Sequence, residues 1–355
     1  MMTPPSFKST ESSDTAPASL PEAFSWVFER ISEPLALVEK ALHEQSVSGV
    51  KLISTLGDHV LSAGGKRLRP ALLLLAAELC GYTGPRRIGV AAAIELLHTA
   101  TLIHDDVVDM ASLRRGQPSA NSVWGNRRAV LAGDFLYARA SAMILEDGDA
   151  EILEIFARSI QSMAEGELLQ LEGSFETDVT ETQYFDIIER KSAVLLAGAC
   201  EAGAILGGVT RAERRRLSDY GRFLGLAFQL KDDALDYDTH SSVLGKRRYA
   251  DLAEGKVTLP LLLTLKRCSS SEAEQIAAVL KQAAKNDALP SVEAEAPSGS
   301  DEVAEIVSRN RGVEDTLRRA DHYVARASEA IAAFPDGPAK QALVAAAAFA
   351  VARDR

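Results

Sequence analysis

The 355-residue chain carries 39 basic against 50 acidic side chains, a net charge of −11, and 46% of it is apolar. That balance excludes a general nucleic-acid-binding surface, so any phosphate site must be assembled locally from a few cations. The length permits one large domain or two smaller ones, and Cys80, Cys200 and Cys268 stand too far apart for a CxxC zinc site or a disulfide framework, which fits a reducing cytoplasm.

Residues 1–21 are rich in Ser, Thr and Pro and lack a basic segment followed by an apolar run, so a disordered tail is expected there and not an export signal. From residue 22 on, Ala, Leu, Glu and Arg recur without the alternation of strands, and Gly or Pro punctuates them at helix ends. The spacing predicts helices over about 22–45, 47–63, 69–80, 86–110, 119–146, 149–173, 180–207, 211–237, 257–267, 272–285, 301–332 and 336–352. This reads as one all-α domain, residues 22–355. The acidic, proline-containing stretch at about 285–300 is expected to be a surface loop within it, because the flanking helices carry apolar stripes that need a shared core. The longest apolar runs, 70–79 and 342–352, fall short of the roughly 20 residues of a membrane span; membrane contact is expected to be peripheral at most.

Gly64-Gly65-Lys66-Arg67-Leu68-Arg69-Pro70 sets three cations beside two glycines, just ahead of an apolar helix. Backbone amides and the helix dipole favour an anion there, and Arg grips diphosphate oxygens bidentately; the alternative is a basic cap on a solvated surface. His98 lies two turns before Asp105 on the same face, with Glu95 three residues earlier. It reads as a core histidine or as half of an ExxH di-iron motif, and no second ExxH exists in the chain. His104, off that stripe, reads as structural.

The most informative feature is a pair of aspartate clusters, Asp105-Asp106-Val107-Val108-Asp109 and Asp232-Asp233-Ala234-Leu235-Asp236. Residues i and i+4 share a helix face, so Asp105 projects with Asp109 and Asp232 with Asp236, in stretches where uncompensated charge is costly. One such cluster also reads as a solvated helix face. Two, followed by Arg114 and Arg115 or by Lys246 and Lys256, point to Mg²⁺ held by a few carboxylates and substrate phosphates. Lys191-Ser192, opening the apolar run 193–199, and Gln229, three residues before Asp232, suit a diphosphate or a developing carbocation as well as plain packing. Gly245-Lys246 and Gly255-Lys256 lie in a polar loop able to fold over a phosphate as a lid.

In combination, GGKRLRP, HTATLIHDDVVD, RRG, GDFLYARA, EGELLQLE, KSA, FQLKDDALDY and DLAEGKVTLP resemble the trans-polyprenyl diphosphate synthases over about residues 22–352. The resemblance implies an all-α bundle of the isoprenoid synthase type with a central cavity. It further implies a cytoplasmic homodimer that uses Mg²⁺ to join isopentenyl diphosphate to an allylic diphosphate of farnesyl or geranylgeranyl type. Carried over by position, Asp105, Asp109 and Asp232 are metal ligands, with Asp236 in support. Lys66, Arg69, His98 and Arg115 hold isopentenyl diphosphate; Arg114, Lys191, Ser192, Gln229, Lys246 and Lys256 contact the allylic diphosphate. Two departures stand out: Ser192 replaces a common threonine, and Tyr249-Ala250 occupies part of the lysine loop where glycine is usual.

The resemblance also sends the growing tail from Asp105 toward the start of helix 86–110, each turn deepening the tunnel by about 5.4 Å, close to one isoprene unit. Ala100, Thr101, Leu97 and Ala93 are non-aromatic, and the next helix offers Ala138, Ser141 and Ala142. The expected product is long, about eight to ten units (C40 to C50), a quinone side chain; a product of about four or five units (C20 to C25) is the alternative if Phe135, Met143 or a partner subunit closes the tunnel. Two readings compete. A class I terpene cyclase would carry an NDxxSxxxE element, which Asn286–Ser291 matches badly, and a non-catalytic subunit of a heteromeric synthase would be expected to have lost one aspartate cluster.

Overall fold

The computed structural model describes residues 26–62, 64–65, 67–237, 249–287 and 297–352. Residues 1–25, Lys66 and Lys246 therefore lie outside the described residues, as does most of the expected 285–300 loop. After a helical segment at 26–30 the chain runs through α1 (Ser32–Ser46), α2 (Lys51–Ser62), α3 (Leu68–Leu79) and α4 (Arg86–Val108). A hairpin of β1 (Leu113–Arg114) and β2 (Gln117–Pro118) leads into α5 (Ala120–Trp124), α6 (Asn126–Asp147) and α7 (Ala150–Glu172). Next come α8 (Glu181–Ile188), a π turn (Glu189–Ala193), α9 (Val194–Leu206), α10 (Arg211–Asp236) and α11 (Ala250–Ala253). The chain finishes with α12 (Leu259–Leu265), α13 (Ser270–Asp287), α14 (Ser300–Arg309), α15 (Gly312–Ala330) and α16 (Pro338–Ala352).

Local chemistry explains the boundaries. Asp149 caps α7 by accepting from Glu151 N and Ile152 N, and α8 and α10 begin with capping boxes, Thr180 with Gln183 and Thr210 with Glu213. Three long predicted helices are broken. The 119–146 helix splits at Gly125 (φ 82°), the 301–332 helix at Arg311 (φ 59°), and the 180–207 helix is interrupted by the π turn. One short hairpin is set into the all-α fold: Arg114 pairs with Gln117 across Arg115 (φ 53°) and Gly116 (φ 76°). Positive φ at both central positions is the type I′ signature, whose twist suits two antiparallel strands.

Two apolar clusters form the interior, one around α1, α2, α4, α6 and α7, the other around α10 and α12 to α16, with α3 and α9 contributing to both. Helices α4 and α6 pack along each other, as do α10 and α15. Among the described residues no helix is long and apolar enough to cross a membrane.

Candidate active site

Helices α4, α6, α7 and α10 enclose a cavity of about 1080 Å³. The structure brings to its wall Arg69, Leu97, His98, Thr101, Asp105, Asp109, Arg114, Lys191, Ser192, Gln229, Asp232, Asp236 and Lys256. Both aspartate faces thus open on one space.

At one corner the cations are short of counter-charge. Arg67 is occupied structurally, donating to Glu39, to Glu95 Oε1 (3.3 Å) and to the Leu61 carbonyl (3.2 Å). Among the described residues Arg69 and Arg115 are not, and of these two only Arg69 lines the cavity. Among the described residues the buried Nε of Arg69 has no hydrogen-bond partner, and burial lowers the pKa of Arg69 and of Arg115. Gly65 leaves room for Arg115, whose Nη1 lies only 2.7 Å from where a Cβ would stand. Burial, followed by the charges of Arg69, Arg115, Arg114 and Arg67, holds His98 well below the usual imidazole range, so it is neutral and offers one N–H donor. An unpaired buried guanidinium beside a neutral histidine calls for an anion.

The first aspartate cluster divides its work. Asp106 is buried and accepts from Arg114 Nε (2.8 Å) and Nη2 (2.5 Å), so it fixes Arg114 on the hairpin. Asp105 faces the cavity, where burial, then Glu167 and Asp109, push its carboxyl up to about 7 against the pull of Lys191. Asp109 lies 3.6 Å from Lys256 Nζ, which also pairs with Glu254. In the second cluster Asp236 accepts from Ala250 N (3.0 Å) and Asp251 N (3.1 Å), capping α11, while Asp232 lines the cavity. Among the described residues no three metal-binding side chains converge into a protein-only cage. The donors are all oxygen and the Asp105 region is over-supplied with carboxylates, which fits a hard divalent ion completed by water and phosphate oxygens.

The π turn carries the third element. A Cβ on Gly166 would meet Lys191 N at 2.9 Å and one on Gly225 would meet Ala193 Cα at 2.5 Å, so both helices approach the turn closely only through glycine. The extra residue in the turn aims Lys191 and Ser192 into the cavity. Lys191 Nζ donates to Glu167 (2.9 Å) and Gln170 (2.9 Å). Ser192 Oγ donates to Gln229 Oε1 (2.8 Å), Gln229 Nε2 to Asp233 Oδ1 (2.7 Å), and Tyr184 Oη to Asp233 Oδ2 (2.5 Å). Burial, then Asp251, pushes the Asp233 carboxyl up to about 8 despite the hydrogen bonds from Tyr184 and Gln229.

Sequence reasoning missed several residues here. Glu167, Gln170, Asp106 and Asp233 hold the cavity's cations and its glutamine, and Tyr184 holds Asp233. The motif EGELLQLE contained the first two, but periodicity alone did not direct them inward. The chain-length face needs a correction: Leu97 and Thr101 line the cavity, whereas Ala100 is 1% exposed within the core and does not. At about 100° per residue, position 100 is turned about 140° from position 105. From α6 the wall takes Asp134 and Tyr137, while Ala138 faces outward; α7 supplies Ile160, Met163 and Ala164. His104 sits over Gly133, 3.2 Å from the Val130 carbonyl, tying α4 to α6.

A family model described as polyprenyl synthetase matches residues 50–294. The chain is 41% identical over 327 residues to the octaprenyl diphosphate synthase of Escherichia coli (strain K12), spanning 92% of this chain and 98% of that one. It superposes on a polyprenyl synthase from Caulobacter crescentus CB15, complexed with calcium and isoprenyl diphosphate, with TM-score 0.86 and 39% identity over 94% of this chain and 98% of the other. A decaprenyl diphosphate synthase from Rhodobacter capsulatus gives TM-score 0.85 at 35% identity over 94% and 99%.

Proposed function

The chain belongs to the polyprenyl synthetase family and is a prenyltransferase, and on that premise we propose that it joins isopentenyl diphosphate head-to-tail to an allylic diphosphate of farnesyl or geranylgeranyl type. The step is repeated to an all-trans product of eight to ten units, the range spanned by the octaprenyl and decaprenyl names of its relatives, which serves as a quinone side chain. The observation that carries this reading is one cavity walled by two carboxylate faces and by an unpaired cation corner.

Asp105, Asp109 and Asp232 would hold Mg²⁺ together with diphosphate oxygens. When bound, Mg²⁺ supplies Lewis-acid charge that stabilises the departing diphosphate. Arg114, Lys191, Ser192, Gln229 and Lys256 orient the allylic diphosphate; Arg114, Lys191, Gln229 and Lys256 exchange their present carboxylate partners for its oxygens, and Ser192 exchanges its bond to Gln229 Oε1. Lys246 is assigned to the same group by motif. Arg69, Arg115 and the neutral His98, with Lys66 by motif, clamp isopentenyl diphosphate so that its double bond faces the allylic carbon, and proximity replaces a bimolecular encounter. Apolar walls from Leu97, Ile160 and Met163 keep water from the allylic cation. The proton lost on forming the new double bond passes to the released diphosphate.

The protein works in the cytoplasm as a homodimer, and the outward stripe Leu131, Ala138 and Leu145 on α6, where both leucines are 68% exposed, supports the pairing of two copies. A product of about four or five units is the second reading, favoured by Tyr137 on the cavity wall. The test is to incubate purified protein with Mg²⁺, radiolabelled isopentenyl diphosphate and allylic primers and to size the products, with Asp105→Ala and Asp232→Ala in parallel. Each substitution should lower turnover by about 10²-fold or more with the helical circular dichroism intact. Near-normal turnover in either folded variant refutes the assignment.

A further inference from the structure

Helix α7 ends at Glu172, and the chain leaves it through Gly173 and Ser174 into Phe175. The φ of Phe175 is 66°, in the left-handed region that bulky side chains rarely enter and that persists only where the surroundings over-determine it. Two contacts do so. The Phe175 N–H donates to the Gly255 carbonyl (2.8 Å), and the Phe175 ring lies against Gly255, where a Cβ would stand 2.2 Å from its Cδ1 and 2.3 Å from its Cε1. Gly255 is itself left-handed (φ 70°) and buried, so the ring approaches only because no side chain stands there.

The next residue is Lys256, on the cavity wall. Gly255 N donates to the Leu252 carbonyl (3.2 Å) and Lys256 N to the Asp251 carbonyl (2.7 Å), so both bonds stay within the α11 segment, whereas the bond from Phe175 ties the turn to α7. The Lys256 side chain is 17% exposed, pairs with Glu254 and brings Nζ to 3.6 Å from Asp109 Oδ1. Its charge sits on a flexible four-carbon stem. Nζ returns to one place only if the backbone beneath it is held. Helix α7 holds Lys191 through Glu167 (2.9 Å) and Gln170 (2.9 Å), and its exit turn reaches Lys256 as well.

We infer that Phe175 is a positioning residue for Lys256: its ring and its N–H clasp the 254–256 turn to the end of α7 and so keep Nζ aimed into the cavity beside Asp109. The role rests on the reading above that Lys256 contacts the allylic diphosphate. Phe175 itself touches no substrate and acts only through the lysine.

Phe175→Asn removes the ring alone, because asparagine enters the left-handed region readily and the backbone N–H remains. Gly255→Ala opens the clasp from the other side and carries the test where Phe175→Asn does not fold; circular dichroism reports folding of each. Initial rates are measured with farnesyl diphosphate and isopentenyl diphosphate varied in turn, for the parent, both clasp variants, Phe175→Tyr, Lys256→Ala, and each clasp variant combined with Lys256→Ala. Each clasp variant should lower kcat/KM for farnesyl diphosphate by about 10-fold, part of the roughly 10²-fold that a misplacement of about 1 Å costs, because Arg114 and Lys191 grip the same diphosphate. KM for isopentenyl diphosphate should stay at the parent value, and Phe175→Tyr, which keeps the ring, should restore the parent kinetics. The combined variants should fall no further than Lys256→Ala alone, since a residue acting through Lys256 then has nothing left to position. Losses that multiply in the combined variants, or parent-like kinetics in the folded clasp variants while Lys256→Ala is impaired, overturn the clasp and leave the reading of Lys256 standing. Parent-like kinetics in Lys256→Ala overturn both.

Discussion

Replacing Gly225 with alanine probes the contact that places Lys191 and Ser192. A Cβ on Gly225 would stand 2.5 Å from Ala193 Cα, 2.8 Å from Ala193 Cβ and 3.3 Å from Leu196 Cδ1. Carbon atoms pack at about 3.5–4.0 Å, so α10 and the π turn must part by about 1 Å, and the nearest obstacle is backbone that cannot rotate away. Overpacking of this kind costs about 1–3 kcal/mol, or about 2–4 °C of Tm per kcal/mol in a large domain. Activity should suffer more. Ser192 neighbours Ala193, and its 2.8 Å hydrogen bond to Gln229, one turn along α10 from Gly225, fails when the two elements separate. Misplacing catalytic groups by about 1 Å costs about 10²-fold. Thermal melts by circular dichroism and steady-state condensation kinetics read the two effects. Gly221→Ala is the companion variant: its Cβ would meet the Leu196 carbonyl oxygen at 2.4 Å, a turn farther from the site, so it should lose similar stability but less kcat. Parent-like melting and turnover in Gly225→Ala, or an equal loss of kcat in Gly221→Ala, refutes the reasoning.

Two further outcomes follow from the site's charges. Arg69→Ala should raise KM for isopentenyl diphosphate by about 10-fold or more, as loss of a charged hydrogen bond to a buried anion implies, with little change in KM for the allylic primer; initial-rate kinetics with each substrate varied would show the reverse pattern if the assignment is wrong. Because Asp105 is held up near 7, it carries a proton below that pH, and binding of a metal ion must expel it. Mg²⁺ affinity measured by calorimetry should therefore fall as pH drops through about 7, with proton release growing over the same range, and Asp105→Asn should flatten the profile; a flat profile in the parent would contradict the Asp105 assignment.

The sequence by itself determined the all-α class, most helix positions, and the two aspartate faces, because helix periodicity and i, i+4 geometry are local properties. Asp105 with Asp109 needed nothing beyond that. It also exposed the charge imbalance that makes a cation and a diphosphate the natural occupants. What only tertiary structure decided is how those faces meet and who serves them. Arg67 and Arg69 are two residues apart in one motif, yet one is consumed by Glu39 and Glu95 while the other is left unpaired in the cavity. Asp106 and Asp233, the middle members of the two clusters, turn out to hold Arg114 and Gln229. Ala100 looked like the ruler from its distance along the chain, but helix rotation buries it, and α7 supplies the wall there with Ile160 and Met163. Spacing along one helix sets which residues share its face; which neighbour that face meets depends on close helix approaches, at Gly166 and Gly225, between segments far apart in sequence.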